Sequence, residues 1–189
     1  MNEPREEAVR RAQAGDVHAF AELVRATQRG VFNVAYGVLG NAEEAQDMAQ
    51  EVYLRVWRAL PSFRGEAAFG TWLYRITVNA CLNRRRQLRT LLNRLEDDDI
   101  LEQLPAPGFD PLAATLDHER QAYLWSLVEA LPPNHRLVIT LFYHQQLSYA
   151  EIAEVLLLPL GTVKAHLNRA RRALAERLRQ ESEKTNARM

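Results

Sequence analysis

The chain has 189 residues, 47% hydrophobic and 25% charged, a balance that suits one ordinary soluble domain or two small ones. Its 24 Lys and Arg are matched by 24 Asp and Glu, which excludes a uniformly basic nucleic-acid binder. No apolar run nears the roughly 20 residues of a membrane span, and the start, MNEPREEAVRRAQ, is too polar and acidic for a signal peptide.

A cytoplasmic protein is therefore expected. The single cysteine, Cys81, cannot form an internal disulfide, and with no Cys or His partners at ligand spacing it offers no zinc site. The neutral total conceals a segregation. Arg84, Arg85, Arg86, Arg89 and Arg94 form one basic cluster, and Lys164, Arg169, Arg171, Arg172, Arg177 and Arg179 form another. Between them, 95–119 holds Glu96, Asp97, Asp98, Asp99, Glu102, Asp110, Asp117 and Glu119 without a Lys or Arg. In a Pro-bearing stretch these carboxylates read as solvated charge rather than a metal site.

Apolar residues recur at three-to-four spacing and strand signals are nearly absent, so the expected fold is all-α. Five helices are expected over the first half and the early linker. After a short opening helix, Gly15-Asp16 breaks the pattern. Phe20, Leu23, Val24, Thr27, Val31, Ala35 and Val38 then mark the core face of a long helix ending at Gly40. Asn41 with Glu44 three residues later caps a third helix, whose stripe of Ala45, Met48, Ala49, Val52, Val56 and Ala59 runs to Pro61. A loop to Gly70 leads into a fourth helix through Thr71, Trp72, Ile76 and Ala80. Pro105, Pro107, Gly108 and Pro111 make the acidic stretch an extended linker. Helical pattern resumes near Asp117 and passes Leu124, Leu127, Leu131, Leu137 and Leu141. The expected division is a first domain over 1–94, a linker over 95–116, a second domain over 117–179 and a frayed tail over 180–189.

The sharpest local motif is LSYAEIAEVLLLPLGTVKAHLNRARR, from Leu147 to Arg172. Ser148 and Glu151 form a capping box, Ile152, Ala153 and Leu156 an inner face, and Pro159 suits the first position of the next helix. On that second helix Val163, Leu167, Ala170 and Leu174 fall on one side. Thr162, Lys164, Ala165, Asn168, Arg169 and Arg172 occupy the other side and its flank. A helix buried on one side, with short polar residues and arginines on the other, is suited to a DNA major groove. Its arginines reach guanine edges or phosphates and Lys164 the backbone. The alternative is an amphipathic helix whose arginines only keep it soluble.

Asp47, Gln50, Glu51, Leu54, Arg55 and Trp57 lie on the third helix away from its stripe. They form an acidic, amide-bearing face edged by large apolar groups, as a docking surface for a protein with basic residues would be. Alternatively, Leu54 and Trp57 pack within their own domain. The segment from Pro61 to Arg86 interleaves Phe63, Phe69, Trp72 and Tyr74 with Arg64, Arg75, Asn79, Arg84 and Arg85, around Gly65 and Glu66. Aromatic faces stack on unpaired bases while amides and guanidinium groups hold base edges and phosphates, the chemistry of single-strand capture. Burial of these aromatics in a core is the competing reading.

Together these segments resemble the bacterial RNA polymerase sigma factors of the extracytoplasmic-function (ECF) group of the sigma-70 family, over most of Asp16 to Leu178 except the linker. GNAEEAQDMAQEVYLRVWRAL resembles the family's polymerase-binding helix, and FRGEAAFGTWLYRITVNACLNRRR its minus-ten element. The stretch LPPNHRLVITLFYHQQLSYAEIAEVLLLPLGTVKAHLNRARRAL resembles its minus-thirty-five reader. The resemblance implies two helical domains, regions 2 and 4, and no enzymatic activity, metal or cofactor. Asp47, Gln50, Glu51 and Leu54 would contact the clamp helices of the largest polymerase subunit, and the polymerase flap is a further implied contact. The loop and Asn79 would hold a base flipped from the non-template strand. The acidic linker would thread polymerase's RNA exit path, and an anti-sigma protein is an implied partner.

The chain departs from the family pattern at three places. Leu157 stands in the turn where glycine is common, so the leucine takes a left-handed conformation at a cost of about 1 kcal/mol or the turn has another shape. Ala165-His166 replaces Ser-Arg, and Gln145-Gln146 replaces an acidic-glycine pair. A stand-alone helix-turn-helix regulator is the main rival reading; a nucleic-acid enzyme has no supporting motif.

Overall fold

The computed structural model describes the backbone of residues 6–95 and 124–186, and side chains over 6–88 and 124–180. The acidic linker, the side chains of Arg89 and Arg94 and the last three residues lie outside the described residues. Those described are helical, without a strand. Four α-helices form the first domain: α1 (Glu6–Gln13), α2 (Val17–Leu39), α3 (Ala42–Ala59) and α4 (Phe69–Leu95), with a short 3-10 turn at Leu60–Ser62.

Local chemistry sets the boundaries. The Asp16 carboxylate accepts from the amides of His18 (2.9 Å) and Ala19 (3.0 Å), satisfying donors that the first turn of α2 leaves open. Gly40 closes α2 in the left-handed conformation at φ 74°. Asn41 accepts from the Glu44 amide at 3.0 Å, so the expected cap forms. The Glu44 carboxylate, however, turns to Arg84 on α4. The core holds Val31, Val34, Ala35 and Val38 from α2 against Met48, Val52 and Val56 from α3 and Leu73, Val78 and Cys81 from α4, while Leu23 joins Val9, Ala12, Ala19 and Leu60 in a second cluster.

The second domain contains α5, described over 124–129, α6 (Pro133–Ile139) running into a π-helical turn (Thr140–His144), α7 (Tyr149–Leu156) and α8 (Leu160–Asn186). The reciprocal capping box of Ser148 and Glu151 is present. Pro159 sits one position earlier than expected: its carbonyl accepts from Thr162 (2.9 Å) and Val163 (3.2 Å), placing it just before the first helical residue. Helix α8 continues to Asn186, through residues expected to fray after Arg179.

The turn between α7 and α8 keeps its left-handed residue. Leu157 lies at φ 53°, ψ 43°, so the leucine is strained rather than the turn reshaped. Gln146, standing where the family pair has its glycine, is likewise left-handed at φ 54°.

The two domains pack on each other. One apolar cluster runs from Val31, Leu73 and Cys81 into Leu137, Leu141, Ile152 and Leu167. Helix α2 lies along α6 and α4 along α7.

Candidate functional site

Helix α3 buries Met48, Ala49, Val52 and Val56 and turns its opposite side outward. Asp47, Gln50, Glu51, Leu54 and Arg55 are exposed, with Leu54 at 60%. Arg55 pairs with Glu51 one helical turn away, softening the acidic character of that end. Trp57 is half-buried, its ring 4.8 Å from that of Phe20, so it packs partly within its own domain. The outward face is acidic, amide-bearing and centred on an exposed leucine.

Phe63, Phe69 and Trp72 gather into one cluster, with ring centroids 4.9 to 6.0 Å apart. Each ring is half-buried, so the core and surface readings of these residues are both partly realised. Phe63 and Phe69 also line a cleft of about 490 Å³, together with Glu6, Arg10 and Gln13 of α1 and Arg64 and Glu66 of the loop. Gly65 shapes the loop at φ 73°, a left-handed value that glycine adopts without strain. Arg75 and Asn79 are exposed on α4, and Arg85 is half-buried. Tyr74, expected among the stacking aromatics, is only 1% exposed, with its hydroxyl donating to Gln145 Oε1 at 2.7 Å. It is a domain-boundary residue here. Arg84 is held by Glu44 through Nε (2.8 Å) and Nη2 (3.0 Å).

On α8, Val163, Leu167 and Ala170 are buried against α6 and α7. Lys164, Asn168, Arg169 and Arg172 are exposed, and Thr162 and Ala165 half-buried. The second helix of the motif thus shows solvent a cationic and amide-bearing face over two turns. Arg171, on the flank, donates from Nε to the Tyr143 hydroxyl at 3.0 Å and lies over the Phe142 ring.

Family models match both halves: Sigma-70 region 2 over residues 23–90 and Sigma-70 region 4 over residues 121–174. The chain is 34% identical over 177 residues to the ECF RNA polymerase sigma factor SigW of Bacillus subtilis, covering 90% of this chain and 95% of the relative. The RNA polymerase sigma-H factor of Pseudomonas aeruginosa is 36% identical over 183 residues, covering 92% and 93%. The chain belongs to the ECF sigma factors. Among solved structures, RpoE from Bartonella quintana, in complex with the anti-sigma factor NepR, shares the fold at a TM-score of 0.70 and 21% identity over 86% of this chain and 98% of that one. CnrH, in complex with the cytosolic domain of CnrY, gives a TM-score of 0.64 at 24% identity, covering 94% and 98%.

Several contacts in this sigma factor escape periodicity. Gln13 donates to the carbonyls of Leu60 (3.2 Å) and Phe63 (2.7 Å), tying α1 to the start of the loop. No spacing rule links a glutamine in the opening helix to a loop 50 residues on. His166, which replaces the family arginine, is half-buried and faces His135 on α6, with rings 6.0 Å apart. Burial and the nearby His166 and Arg169 lower the His135 pKa, favouring its neutral form beside this cationic face. Among the described residues no cluster suited to a metal ion occurs, and no helix is long and apolar enough to cross a membrane.

Proposed function

We propose that this ECF sigma factor, which directs RNA polymerase to promoters, divides recognition among three surfaces and performs no chemistry itself. Asp47, Gln50, Glu51, Leu54 and Arg55, with the edge of Trp57, dock on the clamp helices of the largest polymerase subunit. Phe63, Arg64, Gly65, Glu66, Phe69 and Trp72, with Arg75 and Asn79 on α4, capture the opened strand at the minus-ten element, where Arg85 adds phosphate attraction. Thr162, Lys164, Ala165, Asn168, Arg169 and Arg172 read the minus-thirty-five duplex. Arg84 supports the second surface indirectly, by holding α4 to α3.

The observation that carries this reading is the exposed row Lys164, Asn168, Arg169 and Arg172 on a helix whose reverse side buries Val163, Leu167 and Ala170. Such a helix offers guanidinium and amide groups at the spacing of base edges and phosphates. Opening the duplex then needs no hydrolysis, because unstacking a base costs a few kcal/mol, which stacking and hydrogen bonds in a pocket offset. The cleft beside Phe63 and Phe69 is the proposed pocket. The protein acts in the cytoplasm, its acidic linker follows the RNA exit path, region 4 meets the flap, and an anti-sigma factor is a proposed partner.

Protection footprinting of a reconstituted complex with core polymerase tests the division. Arg169→Ala should remove protection upstream near minus thirty-five, and Phe63→Ala should remove strand opening near minus ten. Loss of both signals together in each variant would refute separate surfaces.

A further inference from the structure

Helix α1 precedes the Sigma-70 region 2 match, which begins at residue 23, yet it supports the loop that starts at Phe63. Its inner side buries Val9 and Ala12 in one cluster with Ala19, Leu23 and Leu60. Phe63 packs on that cluster, as do Phe69 and Trp72, which also touch the main core.

Two devices fix α1 in place. The Asp16 carboxylate, which caps α2 through the His18 and Ala19 amides, also accepts from the Arg11 guanidinium at 2.9 Å (Nε) and 2.6 Å (Nη2). Gly15, at φ 93°, makes the corner between the two helices in a conformation that a side chain would strain.

Gln13, the last residue of α1, connects this support to the loop. Its amide nitrogen has two hydrogens to donate and meets two carbonyls, that of Phe63 at 2.7 Å and that of Leu60 at 3.2 Å. The Leu60 carbonyl also accepts from the Phe63 amide at 3.0 Å, closing the 3-10 turn. The chain leaves that turn extended at Phe63, φ −69° and ψ 117°. The glutamine therefore sets where the loop begins and the direction in which the Phe63 ring leaves the backbone. Gln13 lines the cleft beside Phe63 and Phe69, and as a neutral donor it holds the loop without placing a charge there. Aromatic faces capture a base best when they are already ordered, because ordering a loop on binding subtracts from affinity.

We propose that Gln13 is a positioning residue for strand capture: acting through the carbonyls of Leu60 and Phe63, it presets the loop before DNA arrives. The proposal rests on the strand-capture reading of this loop. It gives α1, which lies outside the matched region, a part in promoter opening that passes through the backbone and needs no contact with DNA.

Gln13→Met keeps the length of the side chain and removes the donor, whereas Gln13→Lys keeps a donor at similar length. Hydrogen exchange on the full chain without DNA should show faster exchange at the amides of 63–68 in Gln13→Met, unchanged exchange in α2 and α3, and recovery in Gln13→Lys. With no DNA present, that recovery reports the donor and not the added charge. A promoter template transcribed by the wild type with core polymerase is then compared as closed duplex and with its minus-ten region pre-opened by mismatches. Gln13→Met should lower transcription from the closed duplex by roughly three- to tenfold, change that from the pre-opened template by less than about twofold, and leave polymerase binding unchanged. Unchanged loop exchange in Gln13→Met, an equal loss on both templates, or a loss of polymerase binding as a general structural role would give, would overturn the proposal. Faster loop exchange in Gln13→Met, with no template opened even by the wild type, would leave the clip standing and overturn the strand-capture reading instead.

Discussion

Arg84 on α4 grips Glu44 on α3 in a two-point ion pair, Nε to Oε2 at 2.8 Å and Nη2 to Oε1 at 3.0 Å. This bond fixes α4, which carries the proposed strand-capturing residues, against α3, which carries the proposed polymerase-docking face. Its energy is modest, because the side chains are 39% and 26% exposed and water screens them. A double-mutant cycle of Glu44→Gln and Arg84→Ala, read by urea unfolding, should give a coupling of about 0.5 to 1 kcal/mol. The Arg84 hydrogen bonds hold the Glu44 carboxyl below its usual range. The contribution is therefore fully present above the ordinary carboxylate pKa and is lost as pH falls through the lower folded value. A coupling that grew toward acid pH would contradict this.

Leu157 is 71% exposed and held at φ 53°, so it bears backbone strain with little compensating burial. Leu157→Gly should raise stability by about 0.5 to 1 kcal/mol, seen as a higher urea midpoint at unchanged slope. A loss of stability would mean that the leucine makes contacts outweighing the strain.

Arg169 is exposed on the α8 face opposite the buried Val163, Leu167 and Ala170. Arg169→Ala should weaken promoter-duplex binding by about 1 to 3 kcal/mol and leave polymerase binding unchanged. Lys164→Ala should weaken binding evenly across sequences and lower the salt slope by about one. Fluorescence anisotropy at several salt concentrations separates the two. Equal loss of DNA and polymerase binding for Arg169→Ala would mark the residue as structural.

Burial pushes the Cys81 thiol up to about 12, against a small lowering by Arg55. With no exposed surface, the thiol should resist iodoacetamide at pH 8 in native protein and react promptly in urea. Rapid native alkylation would show that the first domain opens locally around α4.

Much of this architecture is written in the sequence. Asp16, Gly40, Asn41 and Ser148 mark helix ends because each satisfies or redirects local backbone groups, a matter of adjacent residues. The buried stripes of α2, α3 and α8 follow from helical period. The exposed cationic face of α8 follows as the complement of its buried stripe. Periodicity is blind to pairings across distant elements. Arg84 reads as one of an arginine run, yet its partner is 40 residues away. Tyr74 reads as a stacking aromatic until a glutamine 71 residues on takes its proton donor. Leu157 and Gln146 show the converse: the family glycine positions keep their left-handed backbone after the glycines are gone.

Run-off transcription with core polymerase on a promoter library tests the central claim most directly. The account predicts discrete transcripts that require this protein, from templates sharing a minus-ten and a minus-thirty-five element, and their loss with the Asp47→Arg, Gln50→Ala double variant. Sequence-specific DNA binding by the chain alone, with no polymerase-dependent transcript from any template, would contradict it.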